Sequence, residues 1–334
     1  MELKPVNLTS AELGSLWSTY IANTLSRCVL IHFLEVAEDP DVKPLIEQSL
    51  HQTNSQILHI GEIFQTEGAV LPIGFTDSDV HSEAPRMYSD VYVLQYLKQV
   101  ANIGMLTYSD STYISAREDV RLFFNECLAA SQALDNQTTQ LLLNKGVYIR
   151  PPYISPPEKV EYTKEQSFLT GWLGERRPLT AVEITHLFLN ILRNSLGKAL
   201  LMGFSQSAQS KEVKEFFLRG KDMASKHIEI FSSLLREEDI SAPSQFDSHV
   251  MTSTSPPFSD KLMLYHAVTL ISTGIGNYGT SLSMSPRRDL TVHYNRLMAE
   301  VQLYAGDGMR LFIEEGWMEE PPQAVDREAL ATSK

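Results

Sequence analysis

The chain has 334 residues, 43% of them hydrophobic and 21% charged, with a formal net charge of −13. That length exceeds what one hydrophobic core usually supports and predicts two domains. The acidity argues against a nucleic-acid or anionic-membrane partner, because both are polyanions that recruit clustered Lys and Arg.

The first predicted helix opens at LTSAE, where Thr9 stands three residues before Glu12 in a capping-box pattern that satisfies free amides. It breaks at EDPDV, and a second helix follows to about Thr66. Next comes an irregular stretch, GAVLPIGFTDSDVHSEAPRMY. A third helix starts at Ser89 and Asp90, good N-cap chemistry, and stops near Ser115. At the SARED corner, Asp119 is expected to cap the fourth helix and Arg117 to answer a helix C-terminus. The fourth helix runs to Gly146, suited to a left-handed cap, with prolines beyond. Cys28 and Cys127 lie in apolar helical surroundings and read as reduced, buried thiols. The segment RPPYISPPEKVEYTKEQSFLTGWLGERRP is too rich in Pro and aromatics for a flexible spacer, so it reads as a strap between bundles anchored by Phe168, Leu169, Trp172 and Leu173.

The pattern then repeats. An offset of 171 residues carries Leu8, Thr9, Glu12, Leu16 and Asn23 onto Leu179, Thr180, Glu183, Leu187 and Asn194. After FTDSDV meets FDSHV the offset becomes 170, and Ser89, Asp90, Gly104, Tyr108 and Gly146 fall on Ser259, Asp260, Gly274, Tyr278 and Gly316. A period this long is a duplicated domain and not a solenoid repeat. The predicted layout is a first four-helix bundle at 1–150, the strap at 151–178, a second four-helix bundle at 179–325 and a tail at 326–334. Within each bundle the corners are short, but the middle connection has about 20 residues and can span roughly 60 Å, longer than a helix of about 38 Å. The fold class is therefore all-α: two tandem ferritin-like four-helix bundles, each with one long crossover between helices two and three. Each half is expected to bury its own interior, with an apolar joint between them.

The tandem layout together with GFTDSDV, RPPYISPPEKV, PPFSDKL, GIGNYGT, SPRRDL and FIEEGWMEEPPQ resembles a two-copy ferritin-like family of spore-forming bacteria, domain of unknown function 3231, distantly similar to spore coat protein F. The resemblance spans essentially the whole chain. It implies a helical protein associated with sporulation or stress, and it brings no catalytic residues.

Ferritin-like di-iron sites need carboxylates on four helices and a Glu-x-x-His on two of them. Here His59 and Glu62 come in reverse order, and neither Glu126 nor Glu300 is followed by the histidine. The second half does carry one histidine on each helix, His186, His227, His266 and His293. Estimated heights bring His186, His227 and His293 within about two turns of one another, and with Glu183 these would suit zinc or another divalent metal. Against that, His186 shares a polar stripe with Asn190, Arg193 and Gly197 that reads as facing solvent or the sister bundle, while Ile184, Phe188 and Ile191 mark the apolar face. Glu12 with Asn23 and Arg27, echoed by Glu183 with Asn194 and Lys198, reads as a capping Glu plus a register-fixing pair, or else as a polar network around a ligand. GIGNYG at Gly274–Gly279 lies inside a helix and lacks the strand a dinucleotide fingerprint needs, so its small residues read as a close helix approach. No G-x-S-x-G elbow or Walker lysine is present.

The leading expectation is a non-enzymatic structural or interaction protein without a cofactor, its two bundles packed as a covalent pseudo-dimer. Its partners would be a second copy or a coat-type protein, not nucleic acid or membrane. The N-terminus lacks a signal-peptide pattern and no stretch reaches the roughly 20 apolar residues that span a bilayer, which places it in the cytoplasm or with the spore. The alternative is a metal-binding protein or metal-dependent enzyme using Glu183, His186, His227 and His293. A small apolar ligand held in a bundle core is a third reading.

Overall fold

A computed structural model describes residues 6–163, 166–171 and 176–332. Eight long helices form two sets of four: α1 (Ser10–Val36), α2 (Lys43–Glu67), α3 (Asp90–Ile114) and α4 (Glu118–Asn144), then α5 (Ala181–Ser207), α6 (Lys211–Arg236), α7 (Asp260–Ser283) and α8 (Arg288–Glu314). A short exposed helix, α9 (Arg327–Thr332), occupies the predicted tail. The capping boxes form at both Thr9–Glu12 and Thr180–Glu183. Gly146 and Gly316 take φ of 69° and 71°, the left-handed conformation predicted for the ends of α4 and α8.

Polar corners fix the helix directions. At one end of the first bundle, Glu12 at the start of α1 accepts from the amides of Ala116 and Arg117, where α3 hands over to α4. Arg117 also reaches Glu67 at the end of α2. At the other end, Asp90 at the start of α3 accepts from the Asp39 amide between α1 and α2, and Lys145, after α4, pairs with Asp39. Helices α2 and α3 therefore run parallel, and the intervening chain crosses the bundle from end to end. The second bundle repeats the device through Glu183, Arg287 and Asp260.

The corner arginines and aspartates differ in part from expectation. Arg117 and Arg287 occupy the N-cap positions of α4 and α8 without a side-chain cap. Each forks onto the aspartate two residues later and onto a glutamate at the end of the preceding α2 or α6. The aspartates thus orient an arginine, Asp119 also accepting from the Val120 amide in the first turn of α4 as expected of a cap, and what the arginine answers at the end of the second helix is a side-chain carboxylate.

The two crossovers lie against each other. Val80 bridges Phe258 and Tyr88 bridges Val250, both antiparallel. Four main-chain bonds join them: His81 N to Pro257 O (2.8 Å), Ser259 N to Asp79 O (3.0 Å), Met251 N to Met87 O (2.9 Å) and Ser89 N to His249 O (3.0 Å). The repeat offset carries the first two onto the last two. A pseudo-two-fold axis therefore passes between the crossovers, and each half supplies backbone partners to the other.

The expectation that each half buries a separate interior holds only at the far ends. One cluster around Leu16, Phe64 and Phe124 belongs to the first half, and one around Leu187, Phe231 and Tyr294 to the second. The largest cluster is common to both, drawing Phe33, Tyr92 and Leu97 together with Leu200, Phe204 and Leu262. Tyr88 and Tyr92 cross the joint to donate to the carbonyls of Leu200 and Leu196, so the joint is closed by buried hydrogen bonds as well as apolar contact. Sizes are exchanged across the axis. His32 packs edge-on against Phe258, while its repeat equivalent Gly203 leaves room for Tyr88, the equivalent of Phe258. A Cβ on Gly203 would lie 2.4 Å from the Tyr88 hydroxyl.

The segment joining α4 to α5 is exposed from Tyr153 to Thr163. Phe168 receives the Arg177 guanidinium on its ring at 4.1 Å, and Gly171 lies against Asp289 at the start of α8. These described contacts fall at the end of the second bundle, whereas the expected anchor role was between the bundles. Trp172 and Leu173 lie outside the described residues. Near the C-terminus, Glu319 accepts from the amides of Ile73 and Gly74, tying the end of the second half to the first crossover.

Candidate functional site

The four residues predicted as a metal set do not converge. Glu183 is sealed from solvent, and its carboxylate accepts from Arg177, from the Thr180 amide and hydroxyl, and from the Arg287 amide. Burial opposes its ionisation, but Arg177 and Thr180 outweigh this and hold its pKa below the usual carboxylate range. His186, one turn on, has Nδ1 3.3 Å from Ser281 Oγ. Burial, then the charge of Arg193, lower its pKa. His227 is buried, with Nδ1 2.9 Å from Tyr278 Oη and Nε2 3.4 Å from Glu300 Oε2. Burial lowers its pKa against the opposing pull of Glu300. His293 is half-buried on α8 and its pKa is likewise lowered by burial.

Among the described residues no three His, Cys, Asp or Glu side chains gather in a group that could hold a metal ion. Similar heights along helices bring residues level without turning them toward one centre. Here Glu183 is spent on its cap and on Arg177, and His227 is turned toward Tyr278. Glu12, Asn23 and Arg27 likewise form no single network: Asn23 donates to Gln56 and Arg27 pairs with Asp77. Lys198, the equivalent of Arg27, pairs with Asp247, the equivalent of Asp77. Cys28 and Cys127 are free and buried, and burial pushes both thiols up to about 12.

What the fold does build is a cavity of about 870 Å³, lined by all eight long helices. Its middle is apolar, with Leu25, Leu97, Leu196, Leu200 and Leu270 among the lining. It reaches solvent beside Gly14, Ser18 and Asp110, which are exposed. The stripe of Asn190, Arg193 and Gly197 lines this space, which answers the question of where that polar face points. GIGNYG also departs from expectation. A Cβ on Gly274, Gly276 or Gly279 would meet nothing within 4 Å, so no helix approaches there, and Gly274 borders the cavity. Close approach belongs instead to Gly104, which faces Ser131 on α4.

At the second-half end the lining is polar. Asn194 Nδ2 donates to Tyr278 Oη at 2.8 Å, and Tyr278 meets His227, which meets Glu300, itself paired with Lys226. Arg193 is the one lysine or arginine among the described lining residues and Asp110 the one carboxylate. Asn190 Oδ1 and His266 Nδ1, also at the cavity, are buried without a hydrogen-bond partner. The sequence signal for this wall was the stripe around Arg193; nothing in the sequence foretold the relay from Tyr278 to Glu300.

No helix among the described residues is long and apolar enough to cross a membrane. The chain is 26% identical over 147 residues to "Uncharacterized protein YvdQ" of Bacillus subtilis strain 168, a match covering 42% of this chain and 85% of that one. A crystal structure from Bacillus halodurans C-125, described as a "putative spore coat protein", matches 45% of this chain and 98% of its own, with 24% identity and a TM-score of 0.42. The family described as "protein of unknown function (DUF3231)" matches twice, over residues 3–160 and 167–330. These two matches fall on the two helical halves, and the chain belongs to that family as a tandem member.

Proposed function

We propose that the protein is a non-enzymatic binding protein of ferritin-like topology, a covalent pseudo-dimer whose halves frame one small-molecule cavity. The carrying observation is the cavity of about 870 Å³ between them, within the size range and apolar character of sites for small organic ligands. The non-enzymatic part of the reading is supported by how the titratable groups are used. Glu183, Arg287 and Asp289 are spent on helix ends, and burial lowers the pKa of His227 and raises that of Tyr278, keeping both neutral. A sporulation or stress setting, implied by the resemblance to coat-type relatives, belongs to the same proposal.

Titration of the full chain with a neutral, environment-sensitive apolar fluorophore tests the reading. Saturable binding of one probe per chain, with a rise in Tm, is expected. Folded protein that takes up no probe would reject it. Elemental analysis of protein purified without an affinity tag tests the non-enzymatic half: stoichiometric metal that disappears on His227→Ala would overturn it.

A further inference from the structure

We infer that the cavity takes a single-chain amphipathic carboxylate, its head on Arg193 and its aliphatic chain along the leucine-lined joint between the two halves. The inference rests on the cavity reading above and adds the chemistry of the occupant.

Arg193 lies mid-helix in α5, half-buried at the cavity wall, yet its side chain makes no hydrogen bond or ion pair with any described residue. The other arginines that are not exposed are matched to carboxylates, Arg27 to Asp77, Arg86 to Asp90, Arg117 to Asp119, Arg177 to Glu183 and Arg287 to Asp289, whereas arginines without such a partner, such as Arg121, Arg288 and Arg296, are exposed. Burial alone depresses the Arg193 pKa, with no neighbouring carboxylate opposing it. A guanidinium drawn part of the way out of water without a counter-charge is a ready partner for an anion, and its planar fork fits a carboxylate by two parallel hydrogen bonds. Asp110 borders the same space but forms no ion pair with it.

The duplication supplies an internal comparison. The place of Arg193 is held in the first half by Ala22, which also lines the cavity. One end of the space is therefore cationic, with Asn194 and Tyr278 close by, and its middle is walled by Leu196, Leu200 and Leu97. Had the site been meant for a neutral apolar molecule, an apolar residue at 193 would serve without the cost of an unpaired charge. For a dianion or a phosphate, one lysine or arginine in the lining is a thin complement.

The test compares dodecanoate with dodecanol, by displacement of the fluorophore from the full chain, below the concentration at which either self-associates. Dodecanoate is expected to bind at least tenfold more tightly, one per chain by native mass spectrometry. Arg193→Met, checked for native helicity by circular dichroism, should abolish the preference of dodecanoate over dodecanol, and Arg193→Lys should retain part of it. Equal affinity of the two probes in the unmutated protein, or a preference that survives Arg193→Met, overturns the assignment of the head group while leaving the cavity reading intact. Folded protein that binds neither probe overturns both.

Discussion

Tyr96 and His266 occupy the same place in the two halves and face each other across the pseudo-two-fold axis, Tyr96 Oη 3.1 Å from His266 Nε2. A symmetric duplication would set two identical side chains against one another here; tyrosine opposite histidine makes a hydrogen bond instead. Burial raises the tyrosine pKa and lowers that of the histidine to about 4, so both are neutral at pH 7. His266 Nδ1 is already without a partner. Tyr96→Phe would leave both ring nitrogens unsatisfied and should cost about 1–3 kcal/mol in urea unfolding. Adding His266→Phe should recover part of that loss, because removing both polar partners is cheaper than removing one. A Tyr96→Phe variant as stable as the parent would show that the bond adds nothing to the joint.

His32 sharpens the pH dependence of stability. It is buried, neither ring nitrogen has a partner, and it packs against Phe33 and Phe258. Burial lowers its pKa to about 4. As pH falls through the unfolded value of about 6.5, the unfolded chain takes up a proton the folded chain refuses. The contribution is therefore whole above about pH 6.5 and lost progressively down to about 4, at a limiting slope of about 1.4 kcal/mol per pH unit. Urea unfolding at pH 7, 6 and 5 should show a steep decline, and His32→Leu should remove close to one proton's worth of it. An unchanged slope in His32→Leu would mean that the folded protein protonates His32 readily.

The two corner arginines should respond unequally. Arg287 and Asp289 have side chains 0% and 1% exposed, whereas Asp119 beside Arg117 is 47% exposed. Arg287→Met strands a buried carboxylate and should cost about 3–5 kcal/mol. Arg117→Met leaves Asp119 in contact with water and should cost about 1 kcal/mol. Equal losses in thermal or urea unfolding would contradict the difference in burial.

The helices, their caps and the single crossover were legible in the sequence because each follows from local chemistry and chain length. Thr9 and Thr180 stand at fixed spacing from Glu12 and Glu183, and a connection of about 20 residues reaches the far end of a bundle. The duplication was legible by sliding the chain on itself. What one chain could not reveal was rotation about helix axes. His186 and His227 come level without turning to a common point, while Asn190 and Arg193 turn to a cavity that exists only once both halves are assembled. The exchange between crossovers was equally hidden. Asp79 and His249 are repeat equivalents of different chemistry, and only their opposite partners, Ser259 and Ser89, explain both.

Glycines in the second half should separate into two classes on substitution. Gly276 is exposed within α7, and an added Cβ would meet nothing within 4 Å. Gly276→Ala therefore adds no clash and restricts the unfolded chain, which should stabilise the protein by about 0.5–1 kcal/mol. Gly220 in α6 is the opposite case, because its Cβ would lie 2.2 Å from Tyr304 Oη and 2.8 Å from Leu201 Cδ1. Tyr304 cannot swing aside cheaply, since it is buried, stacks on Phe216 and donates to the Phe216 carbonyl at 2.8 Å. Overpacking should make Gly220→Ala about 1–3 kcal/mol less stable. Thermal unfolding of the two variants side by side decides the matter. Destabilisation by Gly276→Ala comparable to that of Gly220→Ala would mean that a further element covers α7 and that the open space beside the glycine run is filled in solution.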